Sequence, residues 1–271
     1  MLLALAVLNG VVASCSAFAG SPDEQPLVVP LEAGPTADAS ATPDGEADAV
    51  DAETTDIPCP EAGLSADGLF CEDFNQAPAP PTWRFVALPP DTGGSVELFS
   101  DLSAPSGPNS LRATFRSDGG GRSAGIYYDA PDNHGSVSCS VMINPTVPGA
   151  VDLELAALFL EQGGRTRRFL SVHTNQGGTI SASVEDVLDD GGLSNPVEGT
   201  PVPLVADWRQ LRFALVGTNA TVAYDGMTIL DSRRDSLVVE KAQMALLLGS
   251  AGGPVALSSV RYDNVRCSIM P

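Results

Sequence analysis

Lysine is all but missing: Lys241 is the only one, and 14 basic residues stand against 34 acidic ones for a formal net charge of −20. A surface of that sign repels phosphate, so a nucleic-acid partner held through a basic patch is excluded. Histidine occurs twice, as His134 and His173, at no ligand-like spacing to the cysteines, and no Cys-x-x-Cys is present, which leaves no Cys/His metal centre to expect. Gly-x-Ser-x-Gly and phosphate-cradling glycine loops are also lacking, so nucleophilic-serine and nucleotide chemistry have no motif to stand on. Aromatic residues make up 6% of the chain, few for stacking against sugar rings, and Trp208 reads as core. No window from residue 59 onward sustains a helical apolar stripe beyond two turns, which argues against α-helical architecture.

The N-terminal apolar run LLALAVL at residues 2–8 is too short for a membrane span, which needs about 20 residues, but suits the apolar region of an export signal. Val12-Ala13-Ser14-Cys15 follows it and resembles the lipobox of bacterial lipoproteins. That resemblance implies cleavage before Cys15, lipidation of its thiol and display at the outer membrane or cell surface, with residues 1–15 as the signal segment. It departs from the pattern in having no Lys or Arg before Arg84. Residues 16–57 carry ten acidic side chains and no basic one among repeated Ala, Pro, Thr and Gly. Too little apolar surface is present to offset ordering entropy, so a disordered tether is expected there.

From residue 58 to 271 short runs alternate apolar and polar residues between Gly, Pro, Asn and Asp. Leu111, Ala113 and Phe115 face one way while Arg112, Thr114 and Arg116 face the other. About a dozen such strands predict an all-β, two-sheet antiparallel jelly-roll sandwich. Three motifs sharpen this: LFCEDFN at 69–75 with Trp83 after it, Trp208 opening WRQLRF before ATVAYDG at 220–226, and VRYDNVRC at 260–267. In that order they resemble the concanavalin A-like lectin/glucanase domains, including the laminin-G-like group, although Tyr224 directly precedes Asp225 where the pattern spaces them by one residue.

Cys59, Cys71, Cys139 and Cys267 permit three pairings. Cys59–Cys71 is the local choice; Cys139–Cys267 then joins strands that the resemblance places side by side, and Cys71–Cys267 is the rival. Glucanases of this fold carry Glu-x-Asp-x-x-Glu on a strand of the concave sheet, the outer two carboxylates being nucleophile and acid/base. Here the match is Asp152-x-Glu154-x-x-Ala157, with one acid absent, and Ala156 and Leu158 expected to continue the face of 152 and 154. The expectation is therefore a non-catalytic binding module, with Asp152 and Glu154 either contacting a ligand or standing as solvated outward positions. Its partner would be a polysaccharide or a surface protein, and a hydrolase or lyase with an unrecognised site is the alternative. The resemblance also implies a structural calcium ion, for which Glu72, Asp73 and Asp263 supply oxygens.

Overall fold

The computed structural model describes residues 63–64, 69–75, 83–86, 94–117, 122–129, 136–147, 152–250 and 255–270. Cys15, the tether at 16–57 and Cys59 lie outside them. All the regular elements among the described residues are strands, in two antiparallel sheets. Besides the runs expected from alternation, strands occur where none was expected, at Gly63–Leu64, Trp83–Val86, Val197–Glu198, Val202–Pro203 and Met227–Arg233.

The first sheet is organised around its last strand. β17 (Val255–Met270) pairs along one side with β7 (Ser136–Thr146), and along the other first with β5 (Asn109–Ser117) and then with β2 (Leu69–Glu72). β4 (Ser95–Ser100) extends β5, and β1 (Gly63–Leu64) extends β2. Beyond β7 come β13 (Arg209–Val216), β14 (Asn219–Tyr224) and β15 (Met227–Arg233). The β14–β15 turn is Asp225-Gly226, with φ of 50° and 75°, the left-handed pair that a tight hairpin requires.

The second sheet runs β3 (Trp83–Val86), β6 (Arg122–Asp129), β16 (Lys241–Ser250), β8 (Leu153–Gln162), β9 (Arg165–Asn175), β10 (Thr179–Asp186), with β11 (Val197–Glu198) and β12 (Val202–Pro203) both pairing β10. Between the sheets lies one apolar core in which Leu111, Ala113, Phe115, Ile143, Leu158, Val172, Phe213 and Leu246 are fully or almost fully buried. At one edge the sheets are drawn together: Thr200 N–H donates to Ile229 O at 2.7 Å. The adjoining Gly199 has no room for a side chain, since a Cβ there would lie 2.0 Å from Ile229 O.

Cys139 and Cys267 stand opposite each other on β7 and β17 and are disulfide-bonded. Cys71 is in a disulfide of its own, which excludes the Cys71–Cys267 alternative. Trp208 is half-buried rather than core: its ring lies under the Arg261 guanidinium at 5.4 Å, and its indole N–H donates to Ser103 Oγ at 3.4 Å.

Candidate functional site

Strict alternation along β8 would carry the face of Glu154 on to Ala156 and Leu158. It does not, because β8 is bulged. Glu154 pairs His173 and Ala156 pairs Val172, so two steps on β8 match one on β9, and Leu155 is the extra residue. Leu155 and Ala156 consequently both enter the core, together with Leu158. The outer face instead runs from Glu154 to Ala157 and Phe159, and with Ala245 and Leu247 of β16 these last two form a small apolar floor.

The register then assembles a row across the sheet. Glu154 on β8 stands opposite His173 on β9, which stands opposite Ser181 on β10. His173 Nε2 is 2.9 Å from Ser181 Oγ and 3.6 Å from Glu198 Oε2 on β11. Asn175 Nδ2 donates to the same Ser181 Oγ at 2.8 Å. One residue pair further along the outer face, Ser171 and Ser183 share a hydrogen bond of 2.9 Å, and beyond them Glu185 stands opposite Phe169. Phe169 packs against Phe159 with ring centroids 6.0 Å apart, giving the face a small aromatic shoulder.

The electrostatics of this row are unusual for surface carboxylates. Glu154 is partly buried, has no salt-bridge partner among the described residues, and is pushed up to about 7, first by desolvation and then by the negative charge of Glu185. Glu185 is raised too, by burial and by Glu198, against the pull of Arg234. His173 is lowered by burial in spite of Glu198 and Asp152, so it is neutral at pH 7 and can take a proton. The nearby guanidinium groups are committed elsewhere: Arg167 to Asp189 at 2.6 Å, Arg168 to Asp186 at 2.5 Å and Arg234 to Asp186 at 3.2 Å. A carboxyl that holds its proton near neutrality, beside a neutral imidazole and an ionisable carboxylate, is equipped for acid/base work.

Of the residues singled out from sequence, Glu154 is central and Asp152 is peripheral. Asp152 is exposed, accepts a hydrogen bond from Gln176 N–H at 3.2 Å, and reaches the row only through its charge on His173. Glu154 lies on the outer face but is partly buried there rather than fully solvated. No histidine beside a hydroxyl was expected, yet His173 and Ser181 are such a pair. His173, Ser181, Glu185 and Glu198 come together only through pairing of β8 to β11; the one local signal was the Phe169, Ser171, His173 alternation, which puts a lone histidine on the outer side of an apolar strand.

The presumed calcium ligands meet at the junction where β17 changes partner from β5 to β2. Asp263 and Glu72 are fully buried. Asp263 accepts from Ser106 N–H, Ser106 Oγ–H and Asn264 N–H, while Glu72 accepts from Phe74 N–H and Asp73 from Asn75 N–H. No group of three or more Asp, Glu, His or Cys that could hold a metal ion occurs among the described residues. These hydrogen bonds tie the carboxylates to the turns around the junction.

No protein-family model matches the sequence, and no curated protein does. Solved structures do resemble the fold. One, described as belonging to endo-acting O-glycanases that prominent members of the human gut microbiota express to initiate mucin breakdown, superposes with a TM-score of 0.55 at 13% identity over 74% of this chain and 99% of its own. The GlcNAcα1-4Gal-releasing endo-β-galactosidase from Clostridium perfringens matches with a TM-score of 0.54 at 11% identity over 77% of this chain and 64% of its own. The transglycosylase Crh5, without ligand, matches at 0.53 and 14% identity over 79% of this chain and 89% of its own. At these identities the likeness establishes the fold, a concanavalin A-like jelly roll. The expectation of a non-catalytic module is nevertheless corrected: the neighbours bear the names of glycan-cleaving and glycan-transferring enzymes, and the missing third acid at Ala157 is no argument against catalysis when another acid, Glu198, is brought to the same face by β11.

Proposed function

We propose that the domain is a polysaccharide-active enzyme, most simply a glycoside hydrolase, whose general acid is Glu154. The observation that supports this is a carboxyl on the outer face of the second sheet held near pKa 7 by burial and by Glu185. In its protonated form Glu154 gives its proton to the glycosidic oxygen as the bond to the anomeric carbon breaks. Glu198, with the neutral His173 at 3.6 Å, takes a proton from the water that attacks that carbon. Three strand spacings separate β8 from β11, roughly 14 Å between backbones, so Glu198 is taken to act across the sheet from Glu154, with inversion as the proposed outcome. Phe159 and Phe169 offer the sugar an apolar edge, and the serines at 171, 181 and 183 offer hydroxyls. The acidic row repels polyuronates, so neutral glycans are the expected substrates and a hydrolase is preferred to a lyase. Cys15 is proposed to carry lipid and hold the domain at a membrane surface, which intact-mass analysis of the exported protein tests.

The test of the enzymatic reading is a screen of the purified protein against neutral plant, fungal and mucin-type glycans, scored by new reducing ends. Removing a general acid costs about 10²- to 10⁴-fold in turnover, so Glu154→Gln abolishes detectable product on any glycan that the parent cleaves. Products with no dependence on Glu154 would overturn the assignment, and proton NMR of the first product reads inversion directly.

A further inference from the structure

Tyr262 lies on β17 in the first sheet, yet its hydroxyl ends in the second. It is fully buried, and its Oη is 2.6 Å from Leu155 O on β8 and 2.6 Å from Leu247 O on β16. Both carbonyls belong to the stretch where regular pairing fails: Leu246 pairs Ala156 and Gly249 pairs Glu154, with Leu247 and Leu248 opposite the single Leu155. Buried carbonyls need a donor. One phenol, with a single proton, serves the pair from across the core.

We propose that Tyr262 is the positioning residue for Glu154: its hydroxyl clamps the two carbonyls left by the irregular pairing of β8 and β16, and so fixes the bulge that sets Glu154 on the outer face. The inference rests on the reading of Glu154 as the acid, but the contact itself is independent of any substrate. A strand whose side-chain period is two changes face with a one-residue slip, so whatever holds an extra residue in place decides which residues of β8 point outward. Leu155 is that extra residue, and its carbonyl is the one Tyr262 holds. The charged and titratable groups around Glu154 are Asp152 before β8, His173 on β9, Glu185 on β10 and Glu198 on β11, with Arg234 beside Glu185. β16 contributes Gly249 beside Glu154, and its one charged residue, Lys241, stands opposite Glu161 at the far end. Loosening the bulge admits water to Glu154 and removes the desolvation that raises it.

The experiment is a carboxyl-carbon NMR titration of the whole protein, with the Glu154 signal assigned by its loss in Glu154→Gln. In the parent it titrates near 7; in Tyr262→Phe, which keeps the ring and loses only the hydroxyl, the midpoint falls by at least one pH unit toward that of an ordinary glutamate. Phe115→Leu, at another fully buried aromatic of the first sheet, lowers thermal stability without moving the midpoint. An unchanged midpoint in Tyr262→Phe, or an equal fall in Phe115→Leu, overturns the proposal. If Tyr262→Phe does not fold, the parent still decides: the Tyr262 hydroxyl proton exchanges slowly with solvent if the clamp is real, and rapid exchange sinks it. A fall in Tyr262→Phe with no glycan cleaved by any form would leave the clamp standing and remove the hydrolase reading. Cleavage that depends on Glu154 with no effect of Tyr262 would do the reverse.

Discussion

The outer faces of the two sheets treat acidic residues in opposite ways. On the first sheet Asp101 and Glu97 are both matched by a guanidinium. Asp101 is buried, and burial would raise it, but the Ser103 hydroxyl and backbone N–H and the Arg261 guanidinium at 2.6 Å more than offset that and hold it below the ordinary carboxylate range. Glu97 takes Arg112, whose guanidinium also covers the Phe99 ring at 3.9 Å. On the second sheet Glu154 is raised by burial and by Glu185, and Glu185 by burial and by Glu198 against Arg234, while Arg167 and Arg168 serve Asp189 and Asp186. Carboxyls raised in this way, unlike the paired ones of the first sheet, are what the proposed acid/base role requires.

That contrast can be tested by substitution. The largest effect belongs to the disulfide of the first sheet: closing a loop of sequence separation 128, it is worth about 5 kcal/mol on the chain-entropy model. Cys139→Ser with Cys267→Ser should therefore lower the melting temperature steeply in calorimetry, and Glu154 should titrate where it did for as long as the domain stays folded. Next is Arg261→Ala, which leaves Asp101 buried without its cation and should cost about 2 kcal/mol at neutral pH. Because the folded pKa of Asp101 is depressed, its contribution is present above the unfolded value and lost as pH falls through the folded one, so parent and variant should converge in acid. The second sheet should give the opposite sign. A carboxyl raised from 4.5 to about 7 binds its proton more tightly when folded, so Glu154 costs stability as pH rises between those values. Glu154→Gln should match the parent below the lower value and exceed it at pH 7 by about 1–2 kcal/mol, allowing for partial exposure. The smallest change is His173→Asn. Its folded pKa is lowered, so the parent should gain slightly relative to the variant as pH rises toward 6.5. Urea titrations at pH 4.5, 6 and 8 measure both, and a Glu154→Gln variant less stable than the parent at pH 8 would break the comparison.

The sandwich was legible because its signals are local. Leu111, Ala113 and Phe115 alternate with charged and polar neighbours, and the structure buries all three. Asp225-Gly226 marks its hairpin by the φ values that such a turn needs. The site was half legible. Glu154 stood out as an acid on a strand, but the direction of its followers did not, since nothing in Leu155-Ala156-Ala157 marks a bulge; that feature is made by β9, β16 and a tyrosine more than a hundred residues away. Glu198 was invisible because its strand has two residues and owes its place to β10. Trp208 was misplaced because a tryptophan at the start of a strand reads as core, whereas Arg261 and Ser103 give it polar company at the surface.

β17 lies at the centre of its sheet, with β7 on one side and both β5 and β2 on the other, and it also carries Cys267 and Tyr262. A chain synthesised from its N-terminus makes this strand after β2, β5 and β7. Until these residues emerge, β2, β5 and β7 have a gap where their common neighbour belongs, one thiol has no partner, and the bulge beside Glu154 has no donor. Contacts of such long sequence separation are slow to form. The proposed acid/base row is thus completed by a strand that follows all of its own residues in the sequence, so a product that stops before β17 would hold every one of them and still lack their arrangement.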